Sequence, residues 1–171
     1  MRRFIPFIAP VMLAACLTTP TPQVSYRDAD VPLAVTTRGG IGAMQGDWMV
    51  RGAFPDSASI QTVAIAARSD GKITVEIAQP GCEPECHLLS GAWPAERIAQ
   101  NRLRLLTDSA QDPELWVIWM DEGVRTAVVG TPDGGAAFIL DRKATGGDDR
   151  IKAAREILDF NGYDVTQLVM R

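Results

Sequence analysis

From Trp48 to Asp141 the chain consists of short runs rich in Val, Ile and Trp, each cut off by Gly, Pro or Asp; beyond Gly146 the apolar spacing becomes that of a helix. This order restricts the fold more than any other property. Trp48-Met49-Val50-Arg51 opens a first strand, and Ile60 to Ala67 is a continuous apolar second one. Ser69-Asp70-Gly71-Lys72 is a hairpin signal, because Asp-Gly supplies the positive φ angles of a tight turn. Ile73 to Ile77 alternates apolar and polar residues, as a half-buried strand does. Further runs cover His87–Trp93, Leu103–Leu106, Glu114–Met120, Arg125–Val129 and Ala136–Asp141. Asp121-Glu122-Gly123 and Thr131-Pro132-Asp133-Gly134-Gly135 turn the last three into one another. Eight strands at short spacing predict an all-β fold, an eight-stranded antiparallel up-and-down barrel.

The period then changes. Ile151, Ala154, Ile157 and Leu158 fall on one face of a C-terminal α-helix. Asp148 or Asp149 is placed to cap its start and Gly162 to end it. Tyr163 to Met170 is expected to form a short final strand.

Met1-Arg2-Arg3 is a basic start, Phe4 to Met12 a short apolar stretch, and Leu13-Ala14-Ala15 supplies small residues before Cys16. A membrane-crossing helix needs about 20 apolar residues, so this run is too short to span a bilayer and reads as a secretory signal over residues 1–15. Leu-Ala-Ala-Cys is similar to a lipobox, which implies that Cys16 carries lipid and becomes the new N-terminus. Leu17 follows in place of the Asp of an inner-membrane retention signal, which favours the outer membrane, with the domain facing the periplasm. Residues 16–43 are then a lipidated start and a Pro-rich tether, and residues 44–171 the folded domain. No later segment is apolar enough to span a membrane, so the lipid is the only anchor to the membrane.

Charge excludes one class of partner. Lys and Arg number 17 against 21 Asp and Glu, a net charge of −4, and losing the signal removes two more cations. Nucleic-acid affinity rests on neutralising phosphates, which an acidic chain without a basic patch does not do.

With Cys16 lipidated, Cys82 and Cys86 remain, and a pair in an oxidising compartment points to a disulfide across Gly81-Cys82-Glu83-Pro84-Glu85-Cys86. Cys82-x-x-x-Cys86-His87 is one residue away from a haem-attachment spacing, which leaves haem or a metal as minor alternatives. His87 is the only histidine, so any Ser-His-Asp or Cys-His catalytic arrangement must use a residue next to that disulfide. No catalytic residue, no metal ligand and no cofactor is assigned.

Three segments resemble the lipocalin family, and most closely its bacterial outer-membrane lipoproteins. Gly46-Asp47-Trp48 is similar to the Gly-x-Trp motif that starts the first strand. Leu115 to Asp121, with Arg125 and Thr131-Pro132-Asp133, resembles the second motif, and Phe138-Ile139-Leu140-Asp141-Arg142 the third. Phe160 to Leu168 is similar to the helix-to-strand ending of the bacterial members. The resemblance implies a structural role for Gly46, Trp48 and Arg142, with Arg142 packed over Trp48 at the closed end of the barrel. It also implies a hydrophobic small-molecule ligand, a fatty acid such as palmitate or a lysophospholipid, carried or stored at the envelope. A structural or protein-interaction lipoprotein with a filled barrel is the alternative.

An eight-stranded barrel is just wide enough to hold one small ligand. If Trp48 points inward, so does Val50, two residues on. On the sixth strand either Trp116, Ile118 and Met120 face the lumen or Val117 and Trp119 do. The first set is favoured because it puts Asp121 on the opposite face beside the turn. Val50, Trp116, Ile118 and Met120 are therefore the expected ligand contacts.

Overall fold

A computed structural model describes residues 24–81, 89–109 and 111–171. Eight strands form the barrel: β1 (Gly46–Ala53), β2 (Thr62–Ala67), β3 (Ile73–Ala78), β4 (Gly91–Ala99), β5 (Arg102–Leu105), β6 (Glu114–Met120), β7 (Thr126–Gly130) and β8 (Ala137–Asp141). Each pairs antiparallel with its neighbour in sequence, and β8 and β2 both pair with β1, which closes the sheet. Helix α1 (Asp148–Phe160) follows, and β9 (Val169–Met170) adds to the second half of β1, outside the closed ring. The all-β up-and-down barrel, its helix and its extra strand are thus as the turn spacing predicts.

Local chemistry explains the ends. At the β2–β3 hairpin Gly71 takes φ +84°, and the Arg68 N–H donates to the Lys72 carbonyl at 2.8 Å. Helix α1 differs from expectation at its start. Gly147, in a left-handed conformation, is the N-cap, no side chain caps it, and Asp148 and Asp149 lie in the first turn. There their charge favours the positive end of the helix dipole without a capping bond. At the other end Gly162 follows Asn161 with φ +83°, the left-handed residue that closes many helices. The final strand is shorter than expected because Asp164 binds the Thr166 N–H, the Thr166 hydroxyl and Gln167, winding the chain into a turn before β9.

Two apolar layers hold the molecule. Inside the barrel Trp48, Val50, Val63, Ile65, Val75, Ile77, Leu103, Leu105, Leu115, Val117, Met120, Val129, Phe138 and Leu140 form one cluster. Outside it Ile151, Ala154 and Leu158 of α1 cover Ile118, Val128, Ala137 and Ile139. Strands β7 and β8 are therefore buried on both faces, which is why Ala137-Phe138-Ile139-Leu140 runs apolar without alternation. Each buried Leu, Ile or Phe contributes about 1.5–3 kcal/mol.

The segment expected to be a tether lies against the barrel from residue 24 onward. The Tyr26 N–H donates to Gly134 O at 2.9 Å, the Ala34 N–H to Asn161 Oδ1 at 2.7 Å, and the Thr36 N–H to Val117 O at 3.0 Å. Tyr26 and Ile41 are buried. The Pro-rich composition hid two apolar anchors and a row of backbone groups with partners on the barrel.

Candidate ligand-binding site

One end of the barrel is plugged. The Trp48 indole is fully buried, and its Nε1 donates to Met44 O at 2.8 Å from a short 3-10 turn, Ile41–Met44. The Arg142 guanidinium lies over the ring, 3.6 Å from its centroid, and donates to Asp47 O at 3.0 Å and Ala43 O at 3.3 Å. A cation over an indole contributes about 0.5–2 kcal/mol. Burial draws the Arg142 pKa below its ordinary value while the Asp47 carboxylate opposes that, and the group remains a cation. Gly46 takes φ +92°, a left-handed conformation that favours glycine, and a Cβ there would come within 3.3 Å of Arg142 Nη1.

At the same end the β6–β7 turn is organised by Asp121, which accepts the Arg125 N–H at 2.5 Å, the Thr126 N–H at 2.8 Å and Arg125 Nε at 3.0 Å. Burial pushes its pKa up, but the Thr126 and Arg125 backbone donors and the Arg125 guanidinium outweigh that and hold it below the usual carboxylate value. A depressed folded pKa stabilises the protein above the unfolded value, near pH ~4, and the contribution is lost as pH falls through the folded pKa. Asp121→Asn should therefore unfold about 1–2 kcal/mol more easily at neutral pH and show a flatter acid limb below pH ~4. Urea titrations from neutral pH downward measure both; identical acid limbs would remove Asp121 from that role.

In a meander, alternate connections fall at opposite ends, so the β1–β2, β3–β4, β5–β6 and β7–β8 connections gather at the end away from Trp48. Here a cavity of about 750 Å³ opens. Its apolar wall is Val24, Leu89, Trp93, Pro113, Pro132 and Ala136. Thr107, Ser109, Gln111 and Thr131 add hydroxyls and an amide, and five acids stand in the lining: Asp56, Asp108, Asp112, Glu114 and Asp133. The β5–β6 loop is shaped by its own bonds: Asp112 Oδ1 accepts the Thr107 N–H at 2.8 Å and the Thr107 hydroxyl at 3.2 Å. Trp93 Nε1 donates to Leu89 O at 3.2 Å, fixing the indole in the wall. Below the mouth Leu105 and Phe138 are fully buried, so side chains fill the lumen there.

The four expected ligand contacts separate. Val50 and Met120 lie in the barrel interior but not in the cavity wall. Trp116 and Ile118 are on the outer face, which corrects the expected phase of β6. Trp116 donates from Nε1 to Glu114 Oε2 at 2.9 Å and lies under the Arg102 guanidinium, while Ile118 is covered by α1. Leu115 and Val117 point inward, and a β-bulge between Val117 and Trp119 shifts the alternation so that Met120 also faces in. A bulge adds a residue to one strand and reverses the phase beyond it. A second bulge, between Val50 and Gly52, does the same on β1. Cys16, Cys82, Cys86 and His87 lie outside the described residues.

A sequence profile for the lipocalin-like domain matches residues 41–171, which include every strand and the helix. The chain belongs to the lipocalin-like family. Members of this family are in general binding and transport proteins for small hydrophobic molecules. The fold of this lipocalin is similar to that of lobster apocrustacyanin A1, with a TM-score of 0.51 and 10% identity over 75% of this chain and 77% of that one. No curated protein matches the sequence at a significant level.

The wall of this lipocalin's cavity was absent from the expected contact set because it is made mostly by loops, with Trp93 of β4 and Glu114 of β6 as its strand residues. A signal for it existed. Once Trp48 marks the closed end, strand parity alone sends the described residues 54–61, 79–81, 89–90, 106–109, 111–113 and 131–136 to the open one.

Proposed function

We propose that this lipocalin is an envelope lipoprotein that takes the acyl part of a small amphiphile, a fatty acid or lysophospholipid, into its mouth cavity for transport or storage. In this reading residues 1–15 direct export and Cys16 anchors the protein in the outer membrane on the periplasmic side. The lipobox-like Leu13-Ala14-Ala15-Cys16 supports the anchor. The observation that carries the ligand is the cavity itself, about 750 Å³ with an aromatic and aliphatic wall. Volumes of roughly 300–1,000 Å³ hold small ligands. Burying acyl surface yields about 25 cal/mol per Å² before the costs of association. The role is binding and not catalysis.

The test is calorimetric titration of the full chain, carrying Cys16→Ser to keep it free of its own lipid, with a dodecyl lysophospholipid. Trp93→Ala should weaken binding about tenfold by removing part of the wall. Trp116→Ala, on the outer face, should leave it unchanged. Equal loss in both variants, or none in either, would refute the mouth as the site.

A second reading, a scaffold or interaction module with a filled barrel, is favoured by one observation: the interior side chains from Trp48 up to Phe138 form one buried cluster. Native mass spectrometry of the purified protein separates the two, because co-purifying amphiphile belongs to the first reading alone.

A further inference from the structure

We infer that the mouth selects amphiphiles whose head carries a positive charge, an ammonium or quaternary ammonium group, and selects against a free carboxylate. This deepens the ligand reading above and rests on the mouth cavity being the binding site. Two independent features meet there: an apolar wall that takes a tail, and a rim whose charge is of one sign.

Among the described residues most of this charge has no cation beside it. Among the described residues no Lys or Arg lines the cavity, while Asp56, Asp108, Asp112, Glu114 and Asp133 do. Glu114 is neutralised by Arg104 at 3.1 Å, with its second oxygen on the Trp116 indole. Asp108 has no ion pair or hydrogen bond among the described residues, and Asp112 receives only the neutral Thr107 donors on Oδ1. The rim therefore keeps several full negative charges around one opening.

A head group held at that opening lies at the boundary between a water-poor wall and solvent, where charge interactions are stronger than in bulk water and weaker than in a dry core. A carboxylate head placed there meets like charge and finds no donor cation. An ammonium head meets opposite charge from several loops at once. The rim thus divides the acyl amphiphiles by head: free fatty acids are disfavoured, zwitterionic heads are tolerated, and cations are preferred.

The experiment uses three probes with the same tail and different heads, each below its micelle concentration: dodecyltrimethylammonium, dodecylphosphocholine and dodecanoate. They are titrated into the full chain carrying Cys16→Ser. The expected order of affinity is cation, zwitterion, anion, with about tenfold or more between the first and last. That gap should shrink as salt rises and the screening length falls from ~10 Å at 0.1 M to ~3 Å at 1 M. Asp56→Asn, Asp108→Asn and Asp112→Asn together should flatten the order, since the asparagines at 56 and 112 keep an oxygen acceptor for Tyr26 and Thr107, Asp108 has no such bond to lose among the described residues, and all three lose the charge. Trp93→Ala should weaken all three probes alike. Neutralising three acids far from the mouth, Glu122→Gln, Asp149→Asn and Glu156→Gln, should leave the order intact. Equal affinities, dodecanoate bound tightest, or flattening by the distant variants would overturn the head-group inference while leaving the mouth as a tail site. Failure of every probe to bind would overturn the ligand reading as well.

Discussion

Phe54→Ala should lower the unfolding free energy by about 3–5 kcal/mol, the usual cost of truncating a fully buried phenylalanine. Phe54 directly follows β1 and has no exposed surface. Its ring stacks on Tyr26 with centroids 4.7 Å apart and on Tyr163 at 5.6 Å. The three rings come from the N-terminal segment, the end of the first strand and the chain after the helix, so one ring ties three distant parts together. Tyr163 also donates its hydroxyl to Thr131 O at 3.0 Å, and burial pushes that phenol's pKa up. Stacked aromatic pairs add about 0.5–1.5 kcal/mol beyond area. Removing the central ring leaves Tyr26 without its partner, so residues 24–36 should also become sensitive to protease in the native state. Phe54→Leu, which keeps most of the volume, should recover the larger part. A loss under about 1 kcal/mol for the alanine variant would show that the stack is dispensable.

The barrel was legible because the signal for it is redundant. Turn chemistry at Asp70-Gly71, Asp121–Gly123 and Asp133-Gly134 marks the hairpins, and the change of period at Gly146 marks the helix, so no single error moves the fold. The site was less legible for two reasons. Alternation predicts a face only while the ladder is regular, and the bulges at Val50/Gly52 and Val117/Trp119 break it where a binding face was sought. A bulge leaves no compositional mark in Leu115-Trp116-Val117-Ile118-Trp119-Met120, where every residue is apolar and either phase reads well. The sixth strand is also covered on its outer side by α1 at Ile118, which is therefore buried to much the same degree as Leu115 and Val117 in the lumen. The cavity, in turn, is lined by loop residues such as Gln111, Pro113 and Pro132, whose composition reads only as turn. Likewise Tyr26 stands between Ser25 and Arg27 and Ile41 between two glycines, and a window average conceals them.

The second large effect is expected at the closed end, where α1 is fastened to the barrel by charge. Asp141, the last residue of β8, has a side chain 1% exposed and accepts the Thr126 hydroxyl at 2.6 Å, the Lys143 N–H at 2.8 Å and Arg150 Nη2 at 3.3 Å. Arg150, from the first turns of the helix, also donates through Nε to the Thr126 hydroxyl at 2.9 Å. Removing one partner of a buried pair is costly because the other charge stays without water or counterion. Arg150→Met should therefore cost about 3 kcal/mol, at the lower end of the usual range because the guanidinium is partly exposed. Asp141→Leu alone should cost somewhat less, because it leaves the Thr126 hydroxyl without its acceptor while Arg150, 19% exposed, keeps Asp149 at 3.9 Å. The double variant should lose clearly less than the two together, since two apolar side chains fill the same space with no charge left to solvate. Urea unfolding of the four proteins closes the cycle, and strict additivity would mean that the pair does not act as a unit. Salt should change little, since a buried pair is weakly screened. Because this fastening lies at the opposite end from the mouth, ligand affinity should be unchanged wherever the variants remain folded, and stability and binding can then be varied separately in one molecule.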